Sequence, residues 1–235
     1  PGTTWNERAR AAKPKWMSPR MAWRAIQSAL PRNAIISSDI GNNCAIGNAY
    51  PTFDEGRKYL APGLFGPCGY GLPSIIGAKI GCPDTPVVGF AGDGAFGIAV
   101  TELTAIGRPE WPAITMVVFR NYQWGAEKRN STLWYDDNFV GTELDEGVSY
   151  AGIAKACGLQ GVQARTMEEL TTVLRKAIDD QMAGKTTLIE ALINQELGEP
   201  FRRDAMKKPV EVAGISKADM RPQVVARFVF GQLRF

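Results

Sequence analysis

Apolar positions along the chain fall into two alternating rhythms. Solid runs with no polar alternation, "NAIISSD" (33–39), "TPVVGFA" (85–91), "AITMVVF" (113–119), "GVQAR" (161–165) and "TTLIEALI" (186–193), read as buried strands. Between them apolar residues recur at helical spacing. Met21, Ala22, Ala25, Ile26 and Leu30 follow Ser18-Pro19, a cap with proline in the first turn, and Pro31 ends the run. Further helices are predicted over 70–81, opened through Pro73, and over 95–108, with Phe96, Val100, Leu103 and Ile106 on one face. Two more are predicted over 149–158 and from Thr166 to about Met182, where Thr166 and Glu169 form a capping box.

Strands that alternate with helices and are apolar throughout predict an α/β fold: a doubly wound, mostly parallel sheet with helices on both faces. Ligands of such sheets bind beyond the carboxyl ends of the strands. Three segments are expected: a polar linker or leader over 1–17, one domain over 18–200, and a basic tail over 201–235 that ends in the apolar "VVARFVFGQLRF".

Composition narrows the chemistry. The 235 residues are 45% hydrophobic and 22% charged with a net charge of +3, so no basic field for nucleic acid or a membrane surface is present. The longest apolar runs are too short to span a bilayer. The opening residues carry no signal-peptide pattern, and Cys44, Cys68, Cys82 and Cys157 form no CxxC pair, so reduced thiols in a cytoplasmic protein are expected. Histidine is absent, which removes His-based triads, bases and metal ligands from this chain. A metal here would be a hard ion held by oxygens.

The sharpest feature is "VVGFAGDGAFGIAV" (87–100), where Gly92-Asp93-Gly94 joins a strand to a helix. Unpaired amides at a helix start favour an anion, glycines admit it closely, and Asp93 stands where a divalent cation would bridge to it. As a sheet-edge residue Asp93 is expected to be dispensable to the fold. The other reading is an ordinary turn in which Asp93 caps the helix. One helix and one strand later the chain reaches Asn121, which should lie at the same sheet edge beside Asp93; a turn-forming asparagine is the other reading.

Gly-Asp-Gly followed at this spacing by Asn resembles the diphosphate-and-magnesium motif of the thiamine-diphosphate enzymes, in their acetolactate synthase-like group. The resemblance implies thiamine diphosphate and Mg²⁺ as cofactors and the thiamine-diphosphate-binding fold. It implies a metal held by the Asp93 and Asn121 side chains and the Gln123 carbonyl, with Gly94 and Ala95 at the cofactor. Many relatives carry two successive asparagines; here Arg120 precedes Asn121. "DIGNNCAIGNAY" (39–50) resembles a loop that meets the diphosphate through Gly41, Asn42 and Asn43; a plain loop entering a helix is the other reading. "LFGPCGYGLPSIIGA" (64–78) resembles the loop around the aminopyrimidine ring, where the Gly66 carbonyl and the Cys68 amide would meet the ring and the Cys68 side chain would wedge the cofactor into a bent shape. Relatives usually place a bulkier residue at Cys68, and a small buried hydrophobe is its other reading.

Within the family, "RKYLAPGLFGPCGYG", "NYQWGAEKRN" and "GKTTLIEALINQELGEPFRRDAMKKPV" resemble the branch that converts sulfoacetaldehyde and phosphate to acetyl phosphate and sulfite in taurine and C2-sulfonate degradation. That branch implies small anionic substrates, no nucleic-acid or membrane partner, and a homodimer or homotetramer with its active site between subunits. Lys128, Arg129, Arg202 and Arg203 are candidates to line the entrance, or else solvated surface. The general-base glutamate is expected outside this chain, on a separate N-terminal domain of the neighbouring subunit. The chain is therefore expected to be the C-terminal part of a longer protein, inactive alone. The alternatives are another lyase or synthase of the family, such as an acetolactate synthase or 2-oxo acid decarboxylase, and a non-catalytic module that keeps the fold.

Overall fold

The computed structural model describes residues 16–56, 58–134 and 138–197. These lie in the first of the chain's two units, Pro1–Gly198; the second, Glu199–Phe235, with the expected tail and with Arg202 and Arg203, lies outside the described residues, as does most of the expected linker.

Helix α1 (Pro19–Ala29) starts on the Ser18 hydroxyl, which accepts from the Met21 amide at 3.2 Å. Strand β1 (Ile35–Ser38) leads into a short helix α2 (Asn42–Gly47), and β2 (Tyr59–Leu60) is a two-residue edge. Helix α3 (Gly71–Gly81), strand β3 (Val87–Gly92) and helix α4 (Asp93–Ala99) follow; a 3₁₀ turn (Val100–Glu102) and α5 (Leu103–Ile106) lead to β4 (Thr115–Arg120). The remaining elements are α6 (Gly125–Trp134), α7 (Tyr150–Ala156), β5 (Gln160–Ala164), α8 (Met167–Met182) and β6 (Thr187–Leu192).

Among the described residues the strands form one sheet in the order β2-β1-β3-β4-β6-β5, every pair parallel. The doubly wound expectation holds. All residues of β1, β4 and β6 are buried, as strands covered on both faces are, whereas only Gly161 and Ala164 are buried in the edge strand β5. One core packs α1 and α8 on the sheet through Trp23, Ile26, Phe90, Phe119, Leu170, Leu174 and Ile178. The other, through Leu72, Ile75, Phe96, Leu103, Ile114 and Met116, takes α3, α4 and α5. Trp23, 1% exposed, sits 4.8 Å from Phe90 and 5.2 Å from Phe119 between ring centroids, and its Nε1 donates to the Asn43 carbonyl at 2.8 Å. A side chain at Gly47 would strike this indole at 2.1 Å, so a glycine there lets α2 ride on Trp23.

Three departures from the sequence reading bear on the site. The helix expected over 95–108 begins at Asp93 and gives way after Ala99 to a 3₁₀ turn over Val100–Glu102. Helices α2 and α6 are additional. Met17, inside the segment expected to be linker, is 2% exposed, bridges Ile193 in parallel, and accepts from the Asn194 amide at 2.8 Å.

From β1 the chain passes outward to β2, and β3 lies on the other side of β1. The carboxyl ends of β1 and β3 therefore flank a topological switch point, the place where doubly wound sheets open a crevice.

Candidate active site

A cleft of about 150 Å³ opens at that switch point. Gly41, Asn42 and Asn43 reach it from the β1–α2 junction, Gly66 and Cys68 from the loop before α3, Asp93, Gly94 and Ala95 from the start of α4, and Gln123 from the β4–α6 connection. Nine of the ten predicted cofactor-binding residues thus line one cleft. Asn121, the tenth, is 1% exposed and is tied to Asp93 through its backbone, its amide donating to Asp93 Oδ2 at 3.1 Å.

Each segment has a local reason for its course. Gly41 takes φ +123 before α2; a Cβ would meet nothing within 4 Å, so the glycine serves the backbone turn rather than space. Gly66 and Gly69 take φ +62 and +87 in the loop that carries Cys68. That loop is pinned by Asp39, 4% exposed, at the end of β1: Oδ1 accepts from the Gly69 amide at 3.1 Å and Oδ2 from the Gly71 amide at 2.7 Å. Burial pushes the Asp39 carboxyl up, and those amides pull it down.

Asp93 is the most heavily bonded side chain in the site. Its Oδ2 accepts from Arg120 Nη1 at 3.1 Å and from the amides of Asn121 at 3.1 Å and Tyr122 at 2.6 Å, and its Oδ1 accepts from the Gly94 amide at 3.0 Å. It is 1% exposed, so the expectation that it is dispensable to the fold is corrected: removing it would strand a buried guanidinium and two amides. Burial pushes its carboxyl up to about 6 against the pull of Arg120 and the Tyr122 amide. Tyr122 holds φ +59, a left-handed conformation that costs a residue with a side chain about 1–3 kcal/mol. Its amide bond to Asp93 helps to hold it there, as do the Arg120 guanidinium 4.0 Å from its ring centre and the Trp16 ring at 5.6 Å.

Around this knot several buried polar atoms lack protein partners: both Asn121 side-chain atoms, Gln123 Oε1 and Asn43 Oδ1. A buried amide with neither end paired costs free energy in an empty protein, and oxygens in that state beside a carboxylate suit a hard cation. Among the described residues no group of three or more His, Cys, Asp or Glu gathers anywhere. One carboxylate with neutral oxygens would need a ligand's own oxygens, such as phosphate, to complete a magnesium shell. The residues present fit that chemistry.

One expectation needs correction, and one alternative reading falls away. Lys128 does not line the entrance: it is 6% exposed and paired with Glu143. Arg129 borders the cleft instead, its Nη1 donating to Asn42 Oδ1 at 3.3 Å. Cys68 is exposed rather than a buried small hydrophobe; partial desolvation, Asp39 and Glu127 push its thiol pKa up. Asp39, Arg120, Tyr122 and Trp124 shape the site and were not singled out for it in the sequence. The one available signal was Asp39, a carboxylate closing an apolar strand. A second cavity, about 290 Å³ and lined by Arg108, Trp111 and Lys185 among others, lies where β5 and β6 begin, the sheet edge opposite the ligand-binding one.

Residues 39–191 match the family described as thiamine pyrophosphate enzyme, C-terminal TPP binding domain. A sulfoacetaldehyde acetyltransferase of Roseovarius nubinhibens is 85% identical over 225 residues, which cover 96% of this chain and 37% of that protein. A chloroplastic acetolactate synthase of Nicotiana tabacum is 29% identical over 168 residues, covering 68% of this chain and 25% of that protein. Among solved structures, a thiamine diphosphate-dependent 4-hydroxybenzoylformate decarboxylase of Rhodococcus jostii RHA1 superposes with a TM-score of 0.71 at 23% identity, over 78% of this chain and 34% of that one. The chain spans little more than a third of the length of the Roseovarius protein and of a Rhodobacter capsulatus sulfoacetaldehyde acetyltransferase that it also matches.

Proposed function

The chain belongs to the thiamine pyrophosphate enzymes, matching their C-terminal cofactor-binding domain, and from that premise we propose that the protein acts as a sulfoacetaldehyde acetyltransferase. It would convert sulfoacetaldehyde and phosphate to acetyl phosphate and sulfite, with this chain supplying the diphosphate and Mg²⁺ half of the site. The observation that carries the reading is the 85% identity to the Roseovarius protein of that name across 96% of the chain. The 29% identity to an acetolactate synthase over 68% of the chain favours the first branch over the second.

Thiamine diphosphate, when bound, supplies the electron sink for carbonyl chemistry. The chain's own residues would hold and orient it. Asp93 and Asn121 side chains and the Gln123 carbonyl would take Mg²⁺; the unpartnered Asn121 amide supports this. Gly41, Asn42, Asn43, Gly94 and Ala95 would meet the diphosphate, and the Gly66–Cys68 loop, pinned by Asp39, the aminopyrimidine ring. A cleft of about 150 Å³ falls short of the roughly 300 Å³ at the low end of ligand pockets, which supports a site completed by a second subunit of a homodimer or homotetramer. Arg129, whose Nη1 donates to Asn42 Oδ1 at 3.3 Å, is the described basic residue assigned to the substrate anions in this reading.

The test is an assay of the full-length protein with sulfoacetaldehyde, phosphate, thiamine diphosphate and Mg²⁺. Release of sulfite matched by acetyl phosphate is expected. Acetolactate formed from pyruvate without sulfite release from sulfoacetaldehyde would replace the reading with the synthase branch.

A further inference from the structure

We propose that Asp39 is a positioning residue that sets the spacing between two loops facing opposite ends of the cofactor: the diphosphate loop that follows it in sequence, and the ring loop that its carboxylate ties down. The inference rests on the cofactor reading given above.

Asp39 closes the run of β1, and Gly41, Asn42 and Asn43 come directly after it. Its backbone is fixed to the sheet, the amide donating to the Phe90 carbonyl of β3 at 2.8 Å. The side chain is 4% exposed and does not line the cleft. Its oxygens are taken up by amides: Oδ1 accepts from Ile40 at 2.8 Å and from Gly69 at 3.1 Å, and Oδ2 accepts from Gly71 at 2.7 Å. A carboxylate so engaged holds backbone rather than ligand.

Gly71 opens α3, and the flanking Tyr70 offers no side-chain cap. Asp39 therefore caps that helix from another element and meets the positive end of its dipole. A Cβ at Gly71 would stand 2.9 Å from the Phe90 carbonyl oxygen and 3.1 Å from Asp39 Oδ2, so glycine is what lets the helix start come this close.

The loop before α3 depends on this tie. Gly63, Gly66 and Gly69 take φ +65, +62 and +87, and Leu64 and Phe65 are exposed. Among the described residues no hydrogen bond besides that of Gly69 to Asp39 joins residues 62–69 to another element. Ile40 and Ile98 border Gly66 and Gly69, but apolar contact has no direction. Gly66 and Cys68, read as meeting the aminopyrimidine ring, lie within three residues of the tied Gly69 amide. A ligand that reaches both loops gains from their fixed spacing, and a ligand that touches only the first does not.

The experiment titrates thiamine diphosphate and inorganic pyrophosphate, each with Mg²⁺, into full-length protein by calorimetry. Pyrophosphate stands for the diphosphate end alone. Asp39→Asn is nearly isosteric but has one oxygen, so either Gly69 or Gly71 loses its acceptor and faces an NH₂ group. Affinity for thiamine diphosphate should fall roughly tenfold, the size of one hydrogen bond to a charged acceptor, while that for pyrophosphate stays within about twofold. A parallel fall for both ligands, as a merely structural role would give, overturns the proposal, and so does no fall for either. If Asp39→Asn does not fold, Gly69→Ala displaces the same tie from the loop side and is read by the same split. There φ +87 and Ile98 Cγ2, 3.2 Å from the added Cβ, oppose a side chain. The cofactor reading fails separately, already in wild type: neither ligand would then bind with Mg²⁺, and the proposal would fall with it.

Discussion

Arg120 Nη1 donates to Asp93 Oδ2 at 3.1 Å, and both side chains are 1% exposed. The bond ties the end of β4 to the start of α4, so the carboxylate that faces the cleft is also a fastening of the fold. Asp93→Ala should therefore cost stability as well as binding. Breaking a buried ion pair by removing one partner costs about 3–5 kcal/mol. Asp93→Asn, which keeps an acceptor for the Tyr122 amide, should cost less. Both variants should lose cation-dependent binding of thiamine diphosphate. Urea unfolding beside calorimetric titration checks this; an unchanged midpoint in Asp93→Ala would remove the fastening role.

Acidity gives a second handle on the same residue. Burial raises the Asp93 carboxyl from 3.8 to about 6. A raised folded-state value means the folded protein holds the proton longer than the unfolded chain. The associated stability is fully present below about pH 4 and is lost as pH rises through about 6, a fall of roughly 3 kcal/mol. Urea midpoints of cofactor-free protein should decline over that window in wild type and lack this component in Asp93→Asn. Mg²⁺ needs the ionised form, so binding below pH 6 should release a proton. Identical slopes in the two proteins would refute the assignment.

The sheet and the meeting of Asp93 with Asn121 were legible because each depends on short-range signals. The apolar runs of β3 and β4 mark buried strands, and parallel strands deliver their carboxyl ends to one edge. The knot around Asp93 was not legible. Arg120 reads as one charge after an apolar run; its cage comes from Asp145, Val148, Tyr150 and Glu190, brought together by folding. The left-handed turn at Tyr122 leaves no trace in a residue type that rarely adopts it. Helix α6, "GAEKRNSTLW", lacks an apolar stripe to announce it.

Gly94 offers a test of packing at the cleft wall. A Cβ there would lie 2.8 Å from Cδ2 and Cε3 of Trp124, closer than any relaxed contact. Gly94→Ala must push the indole away, at about 1–3 kcal/mol for overpacking. Because Trp124 lines the cleft, cofactor affinity should fall with stability. Trp124→Leu should relieve the clash, so the double variant should be less impaired than the two single effects added. Strict additivity would mean that the ring does not meet residue 94 in solution.

The last prediction concerns the proton at C2 of the cofactor, whose removal begins the chemistry proposed above. Among the described residues the acidic side chains that line the cleft are Asp93 and Glu127. Asp93 is committed to Arg120 and to two amides beyond its own neighbour's. Glu127 is exposed on the first turn of α6, at the end of the cleft where it raises the Cys68 thiol. A base for this step must be held against the pyrimidine ring by packing or a second hydrogen bond, and an exposed first-turn side chain is not so held. The glutamate is therefore expected from outside the described residues. With thiamine diphosphate and Mg²⁺, the 235-residue chain should leave C2 proton exchange, followed by NMR, at the rate of free cofactor. In the full-length protein Glu127→Gln should keep fast exchange. Fast exchange in the 235-residue chain, lost on Glu127→Gln, would instead make Glu127 the base and this cleft sufficient for the first step.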